Sequence, residues 1–333
     1  MKRFLIKLGV FSLWGLVPLL VLLGSYIYLD PFMVLRDYRD FSFPYISPDL
    51  DYVSTEVFIK NDPKYHYNSF ILGSSRTMAF KPSSWVRHLP KGAHPYVFAA
   101  SMESVYGIYI KLKYLDSIKK PIDNALIIYC RDVTFNKTAN EDGHLFIKHP
   151  ATTGESKFNF QLTFFKSYLS PVFFLNYYIF KITKTYKPFM NGYIEGKKVK
   201  YDTVTNAITI VDQEHEISTK PAAYYAIKKD LFYDRSEERT DTVPRIQEKQ
   251  LFMLKEIQRI LEKNKTNYKI IISPLYEQIK INPQDFTILK NLYGDHIYDF
   301  SGKNFVSVDK TNYYEVSHYR PIMGDSLMNI VYR

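Results

Sequence analysis

A short apolar run that ends in a glycine and two hydroxyl residues constrains the fold of this chain more than any other feature. The segment 67–76 reads Tyr-Asn-Ser-Phe-Ile-Leu-Gly-Ser-Ser-Arg. Its apolar centre is typical of a strand buried on both faces of a parallel sheet, and Gly73 lets the backbone turn where the strand ends. A serine just past such a strand would lie at the carboxyl edge of the sheet, where open α/β folds bind ligands. For these residues alone, a polar turn without a chemical role is the simpler interpretation.

A second polar motif, Glu315-Val-Ser-His318, lies near the C-terminus and precedes a predicted closing helix. A neutral imidazole can take the proton of a serine hydroxyl, which is too weak an acid to attack an ester unaided. A neighbouring carboxylate fixes the tautomer of that imidazole and stabilises its charged form. Taken alone, the motif is better explained as a helix start with a first-turn acid and a capping histidine. Its occurrence together with Ser75, in the right order, favours a Ser-His-Glu triad.

Between these two motifs, strand-like and helix-like segments alternate along the chain. After the strand that precedes Gly73, further strands are predicted at 95–100, 125–130, 268–273 and 296–300, and helices at 104–118, 241–264 and 285–292. Strand–helix alternation of this kind is the signature of a parallel sheet covered by helices. We therefore expect an α/β fold of three layers, α/β/α, in which Ser75 and His318 lie on the same rim of the sheet.

Together, the two motifs resemble those of the SGNH/GDSL hydrolase superfamily, and most closely its membrane-anchored branch, which includes the alginate O-acetylation and teichoic acid D-alanylation proteins. The resemblance places Ser75 at the nucleophile position, His318 at the base and Glu315 at the residue that orients the base. Backbone N–H groups at Ser75 and at Ala100 or Ser101 would hold the developing oxyanion.

Arg76, directly after the nucleophile position, has two interpretations. It either braces the turn by pairing with an acidic side chain, which is the commoner role of an arginine beside a strand end, or it meets an anionic polymer. The first of these is the one we favour.

The chain departs from the family pattern at the two intermediate blocks. The second block, expected at 97–104, contains no glycine, and the third block, expected at 128–135, lacks the usual asparagine. That asparagine commonly supplies an oxyanion donor in the family. These differences leave open a family member that has lost its activity.

The N-terminus has the pattern of a membrane anchor. Basic residues within 1–7 are followed by an uncharged run from Leu8 to Leu29, which is long enough to span a bilayer as a helix. No Ala-x-Ala site and no lipoprotein cysteine follow it, so an uncleaved anchor is favoured over a signal peptide. The basic flank predicts a cytoplasmic N-terminus and a periplasmic or extracellular domain. The expected organisation is an anchor at 1–30, a stalk packing on the domain at 31–66 and an SGNH-like domain at 67–333.

The composition narrows the choice of partners. The 333 residues carry a net charge of +10 and include 29 tyrosines and 24 phenylalanines. Such a basic balance suits nucleic acid, an anionic glycan or a membrane surface, and no nucleic-acid module accompanies it. The single cysteine, Cys130, excludes an intramolecular disulfide, and we find no Cys/His spacing for zinc, no phosphate loop and no dinucleotide fingerprint. No metal or cofactor is expected.

A segment at about 136–240 interrupts the alternation and is interpreted as an insertion. Its helical part, 158–188, is aromatic on several sides and contains several lysines. Such a helix either packs in the core, the usual fate of phenylalanine, or forms a lid or lies against a bilayer. The lysine-rich segment 197–200 is interpreted as a solvated turn, with phosphate or carboxylate binding as the alternative.

These features lead to an expected function and two alternatives. The first is a membrane-anchored, outward-facing serine O-acyltransferase or esterase that acts on a cell-surface polysaccharide and receives an acyl group from a donor. A hydrolase of the same fold that removes such groups is the second. The third is a catalytically idle protein that binds glycan or scaffolds a membrane-bound O-acyltransferase, a partner that only the resemblance implies.

Overall fold

A parallel five-stranded sheet forms the centre of the molecule in the computed structural model, which describes residues 1–190, 192–235 and 237–333. Its strands are β1 (Ser69–Gly73), β2 (Pro95–Ala99), β3 (Asn124–Tyr129), β4 (Asn267–Ile272) and β5 (Ile297–Asp299). They are arranged in the order β2-β1-β3-β4-β5. The strand order reverses at β1, and in such sheets ligands bind at the carboxyl ends beside the reversal. The predicted α/β class is confirmed.

The longer helices are labelled in chain order. They are α1 (Lys2–Leu29), α2 (Leu50–Tyr65), α3 (Val105–Ser117), α4 (Lys157–Leu169), α5 (Pro171–Thr183), α6 (Glu248–Lys263), α7 (Pro283–Tyr293) and α8 (Pro321–Val331). Shorter α-helices occupy Pro82–Trp85, Pro150–Thr153, Val211–Thr219 and Pro221–Ile227. Single 3-10 turns lie at Ser75–Ala79, Val86–His88, Pro188–Met190, Lys229–Leu231, Gly294–His296 and Lys310–Asn312.

Among the described residues, three short strand pairs lie outside the central sheet. Val199–Tyr201 pairs antiparallel with Ile208–Ile210, and Tyr313–Glu315 pairs antiparallel with His318–Tyr319. Arg239–Thr240 pairs parallel with Ile279–Lys280. The first two pairs matter for the site, because each carries residues to the rim of the sheet.

Two hydrophobic cores cover the two faces of the sheet. Alternate residues of β1 divide between them: Phe70 and Leu72 belong to the core shared with α2, α3, α6 and α7, whereas Ile71 belongs to the core shared with α8. This division follows from the alternation of side chains along a strand. The result is the three-layer α/β/α arrangement.

The region predicted as a stalk contains more regular structure than its prolines indicated. Helix α2 lies within it, capped by Asp49, and buries Val53 and Phe58 against the sheet. The Ser54 hydroxyl donates to the Ala99 carbonyl at 2.8 Å. The second half of the expected stalk is therefore an integral part of one helical layer.

The aromatic segment consists of two helices rather than the single helix that its composition suggested. Helix α4 ends at Leu169 and α5 begins at Pro171, which lacks a backbone N–H and is favoured in a first helical turn. One side of each helix is buried, through Phe160 and Phe164 of α4 and Phe173 of α5.

Helix α1 is the one helix, among the residues that the structure describes, that is long and apolar enough to cross a membrane, with a mean hydropathy of 2.1.

Candidate active site

The end of β1 turns sharply at Gly73 and presents Ser75 at the carboxyl rim. Gly73 has a φ of +147°, and a Cβ there would lie 2.7 Å from the carbonyl oxygen of Ile128, so the position requires glycine. Ser74 is buried; its hydroxyl accepts from the Arg76 N–H at 3.4 Å and lies 3.3 Å from the Cys130 thiol. Ser75 follows as the first residue of a 3-10 turn and is half-buried.

The segment that carries His318 is held against this turn from the other end of the chain. His318 lies in the short hairpin that precedes α8, and the flanking Tyr319 is buried. Helix α8 approaches the serine turn so closely that a Cβ at Gly324 would lie 2.0 Å from the carbonyl oxygen of Ala79. A glycine in the helix thus permits the contact that brings the two motifs together.

Ser75, His318 and Glu315 form one hydrogen-bonded chain. The Oγ of Ser75 lies 2.8 Å from Nε2 of His318 although 243 positions separate them in sequence. The other ring nitrogen, Nδ1, is hydrogen-bonded to Oε1 of Glu315, and the Ser317 backbone N–H donates to Oε2 at 2.7 Å. With Nδ1 protonated toward the carboxylate, Nε2 is free to accept the serine proton, which is the arrangement of a serine triad.

The charge of Glu315 suits this role. Burial raises the pKa of its carboxyl group, but the hydrogen bond and charge of His318, together with the Ser317 N–H, outweigh burial and lower the pKa to about 2. The carboxyl group is therefore ionised at neutral pH and can stabilise an imidazolium on His318.

The lowered pKa of Glu315 predicts a pH-dependent contribution to stability. Since the folded-state pKa of about 2 lies below the ordinary value of 4.5, the contribution is present above pH 4.5 and is lost as the pH falls toward 2. Denaturant unfolding of the detergent-solubilised protein should show that wild type loses more stability in this window than Glu315→Gln does. Curves that stay parallel between these pH values would contradict the ion pair.

Arg76 braces the site in the way that the sequence favoured. Its two terminal nitrogens bind both oxygens of Asp132 at 2.7 and 2.8 Å, and its Nε donates to the carbonyl of Ser317 at 2.9 Å. The side chain is buried, which leaves little of it for a polymer. Arg76 therefore ties the serine turn to the loop after β3 and to the residue before His318.

Of the backbone groups expected to bind the oxyanion, the N–H of Ala100 is excluded by the structure. The Ala100 N–H donates to the Gly73 carbonyl at 3.2 Å and so belongs to the sheet, which excludes it from the predicted role. Ser101 instead lines the same cavity as Ser75 and His318. Within the part of the chain that the structure describes, the backbone N–H groups of Ser75 and Ser101 have no acceptor. The third-block position offers no side-chain amide, because it is an aspartate, Asp132, whose carboxylate is bound by Arg76.

A cavity of about 190 Å³ lies in front of the serine. Much of its wall comes from outside the two motifs, namely from the hairpin Val199–Tyr201/Ile208–Ile210 in the insertion and from residues 47–50. The wall is mainly apolar, with contributions from Leu50, Met78, Val199, Ile208 and Ile210.

Lys197 is also part of this wall, which corrects the interpretation of 197–200 as a solvated turn. It is half-buried and lines the cavity, whereas Lys198 and Lys200 are exposed. The sequence held a signal that we missed: the alternation of Lys198, Val199, Lys200 and Tyr201 is that of a half-buried strand.

Compared with models of known protein families and with curated proteins, the sequence matches none of them.

Proposed function

We propose that this protein is a membrane-anchored, outward-facing serine O-acyltransferase or esterase that acts on a cell-surface polysaccharide. The observation that carries the proposal is the 2.8 Å contact between Ser75 Oγ and His318 Nε2, with Glu315 on the far side of the imidazole. Nucleophile, base and orienting acid in this relation are the parts that acyl transfer through serine needs.

The reaction would proceed through an acyl-enzyme. His318 takes the Ser75 proton as the serine oxygen attacks the carbonyl carbon of the acyl donor, and the N–H groups of Ser75 and Ser101 bind the resulting oxyanion. The imidazolium then gives its proton to the departing alkoxide, which leaves as an alcohol. A hydroxyl of the acceptor polymer, or water, next attacks the acyl-serine while His318 takes its proton, and the collapse of this second intermediate returns the proton to Ser75.

Features around the triad support the choice of substrate. The small, mainly apolar cavity suits a short acyl chain, and Lys197 and Glu195 on its wall add one charge of each sign for polar groups of donor or acceptor. The basic residues in the first turns of α1 favour a cytoplasmic N-terminus, which would place the domain on the outer side of the membrane beside the surface polymer.

One observation favours a second candidate function, that of a catalytically inactive protein that binds glycan or scaffolds a membrane-bound O-acyltransferase. The loop after β3 presents Asp132 to Arg76 and offers no side-chain amide to an oxyanion. Only backbone donors would then stabilise the intermediate, and the loss of one good donor costs about 3–4 kcal/mol in serine hydrolases.

A fluorophosphonate probe distinguishes the two candidates, because it forms a stable adduct only with an activated serine. We expect native protein to be labelled on the peptide that contains Ser75, and heat-denatured protein and Ser75→Ala to remain unlabelled. Absence of any adduct on native protein, or labelling of a different serine, would contradict the catalytic proposal. Binding of surface polysaccharide by the same unlabelled protein would then support the idle alternative.

A further inference from the structure

The outer side of α5 carries an apolar stripe that the domain does not cover. Val172, Leu175, Ile179 and Ile182 recur at spacings of one helical turn and are exposed, Leu175 by 60% and Ile182 by 79%. The opposite side of the same helix is buried through Phe173 and Tyr177. A helix with one apolar side in the core and a second one exposed indicates a further apolar contact outside the domain.

The position of this stripe is set by the membrane helix. Ser25 near the end of α1 is hydrogen-bonded to the Tyr168 hydroxyl of α4 at 2.7 Å, and the Tyr26 ring lies 5.3 Å from the ring of Phe165. Tyr168 in turn is hydrogen-bonded to Tyr178 of α5 at 2.8 Å. These contacts join α4 directly to α1, and α5 to α1 through Tyr168.

The contact with α1 lies within the uncharged run rather than beyond it. That run continues to Leu29, and a helix rises about 1.5 Å per residue, so Ser25 lies about 6 Å inside its end. Whatever touches Ser25 and Tyr26 is therefore at the depth of the membrane interface. If α1 spans a bilayer, α4 and α5 therefore lie in contact with its surface.

The charge of this region fits an anionic surface. The stretch 157–190 contains no Asp or Glu and several lysines. Lys181 is half-buried, while Lys184 and Lys187 are exposed near the C-terminal end of α5, where the exposed Tyr186 follows. Lysine and tyrosine beside an apolar helix face are the residues found where a helix lies in the membrane interface.

We propose that the exposed stripe of α5, defined by Val172, Leu175, Ile179 and Ile182, lies in the headgroup and upper acyl region of an anionic bilayer. It forms a second membrane contact beside α1 and fixes the orientation of the domain. The contact needs no catalytic activity.

For the proposed acyl transfer, this orientation would bring the site close to the lipid surface. The Tyr45 ring packs 5.7 Å from Phe180 of α5, and Ser47, two residues later, lines the cavity of Ser75. Two residues span at most about 7 Å. This consequence rests on the proposed function, whereas the bilayer contact does not.

Spin labels on the full-length protein test the contact. Ile182→Cys reports on the stripe, and Ile227→Cys is the matched control, an equally exposed isoleucine on a short helix packed at the other face of the sheet. Cys130 is buried, and wild type treated with the same label gives the background. Each variant is reconstituted in vesicles of phosphatidylcholine and phosphatidylglycerol, and collisions with oxygen, enriched in lipid, are compared with collisions with a water-soluble nickel chelate.

We expect the ratio of oxygen to nickel collisions to be several-fold higher at Ile182 than at Ile227, and Leu175→Cys to behave like Ile182→Cys. Nickel access at 182 equal to that at 227 would overturn the proposal, because the stripe would then face water. Shielding from both reagents would overturn it too, since a protein partner or a second copy would then cover the stripe. Equal ratios at 182 in vesicles without phosphatidylglycerol would remove the requirement for anionic lipid.

Discussion

Ser75→Ala is expected to lower the hydrolysis of an activated acetyl ester by roughly a thousandfold or more, because the proposed function makes the Ser75 hydroxyl the nucleophile. His318→Ala should be nearly as damaging, since the Ser75 hydroxyl would lose the base that lies 2.8 Å away. The double variant should be no slower than either single variant, because members of a triad act as a unit. Initial rates of the purified, detergent-solubilised proteins measure all three.

Ser74→Ala is the matched control for this series, because it removes a hydroxyl from the adjacent residue. That hydroxyl caps the 3-10 turn and touches Cys130, so its loss should cost about 1 kcal/mol of stability and leave the rate within a few-fold of wild type. The same variants should show the same order for polysaccharide acylation in cells. Wild-type acylation by Ser75→Ala in a deletion strain would contradict the catalytic function and favour the scaffold.

The pairing of Ser75 with His318 could be predicted because it depends on short-range patterns. An apolar run before Gly73 defines a buried strand, parallel strands end on a common edge, and the alternation of elements places the last loop there as well. None of these steps needs an exact register. The contact between α8 and the serine turn, by contrast, depends on the close approach of Gly324 to Ala79. The sequence around either residue does not predict this contact.

The error at Ala100 shows where sequence patterns lose precision. Which backbone N–H is left free of the sheet depends on where β2 ends, and that is decided by its register against β1, in which Gly73 pairs with Ala99. If the register of β2 shifts by one residue, an N–H that is hydrogen-bonded within the sheet becomes free, and its neighbour takes its place. The residues 97–101 are all apolar or small, so the sequence does not define the end of β2 to better than about one residue.

Burial of charge is the second feature that the sequence did not predict. Lys111 occupies a helix next to Leu112 and resembles a solvated side chain, yet its side chain is fully buried. It pairs with two acids from other segments, Glu103 after β2 and Asp51 in α2. A second lysine, Lys148 of the insertion, pairs with Glu103 as well. A lysine whose burial depends on such distant segments cannot be recognised from its neighbours in sequence.

This buried cluster carries the second large prediction: Lys111→Met should destabilise the protein by about 3–5 kcal/mol, because it leaves buried acids short of one positive charge. Lys111 Nζ lies 2.5 Å from Glu103 and 3.0 Å from Asp51. Burial raises the pKa of Asp51, but Lys111 and Lys148 outweigh burial and hold it below its ordinary value. Since folded domains are stable by only about 5–15 kcal/mol, the loss should be visible as a large fall in the unfolding midpoint.

Lys263→Met is the control, because Lys263 pairs with Asp116 at 2.7 Å on the surface, with 57% of the lysine side chain exposed. A surface pair of this kind contributes at most about 1 kcal/mol. Denaturant unfolding of both variants in the same detergent compares the two sites directly. Equal costs for Lys111→Met and Lys263→Met would contradict the claim that the buried cluster is a structural element.

The cluster also bears on the site, and a double variant separates the two effects. Glu103 follows Ser101 by two residues, so the pairing of Glu103 with Lys111 and Lys148 holds the loop that contains Ser101, a residue of the cavity wall. Lys111→Met with Glu103→Gln removes one charge of each sign and should be less destabilised than the sum of the single variants. Its ester hydrolysis should nevertheless stay below that of wild type at temperatures where it is folded, because a neutral amide at position 103 holds the loop less firmly than an ion pair does. Full activity in the folded double variant would show that the cluster stabilises the layers without positioning Ser101.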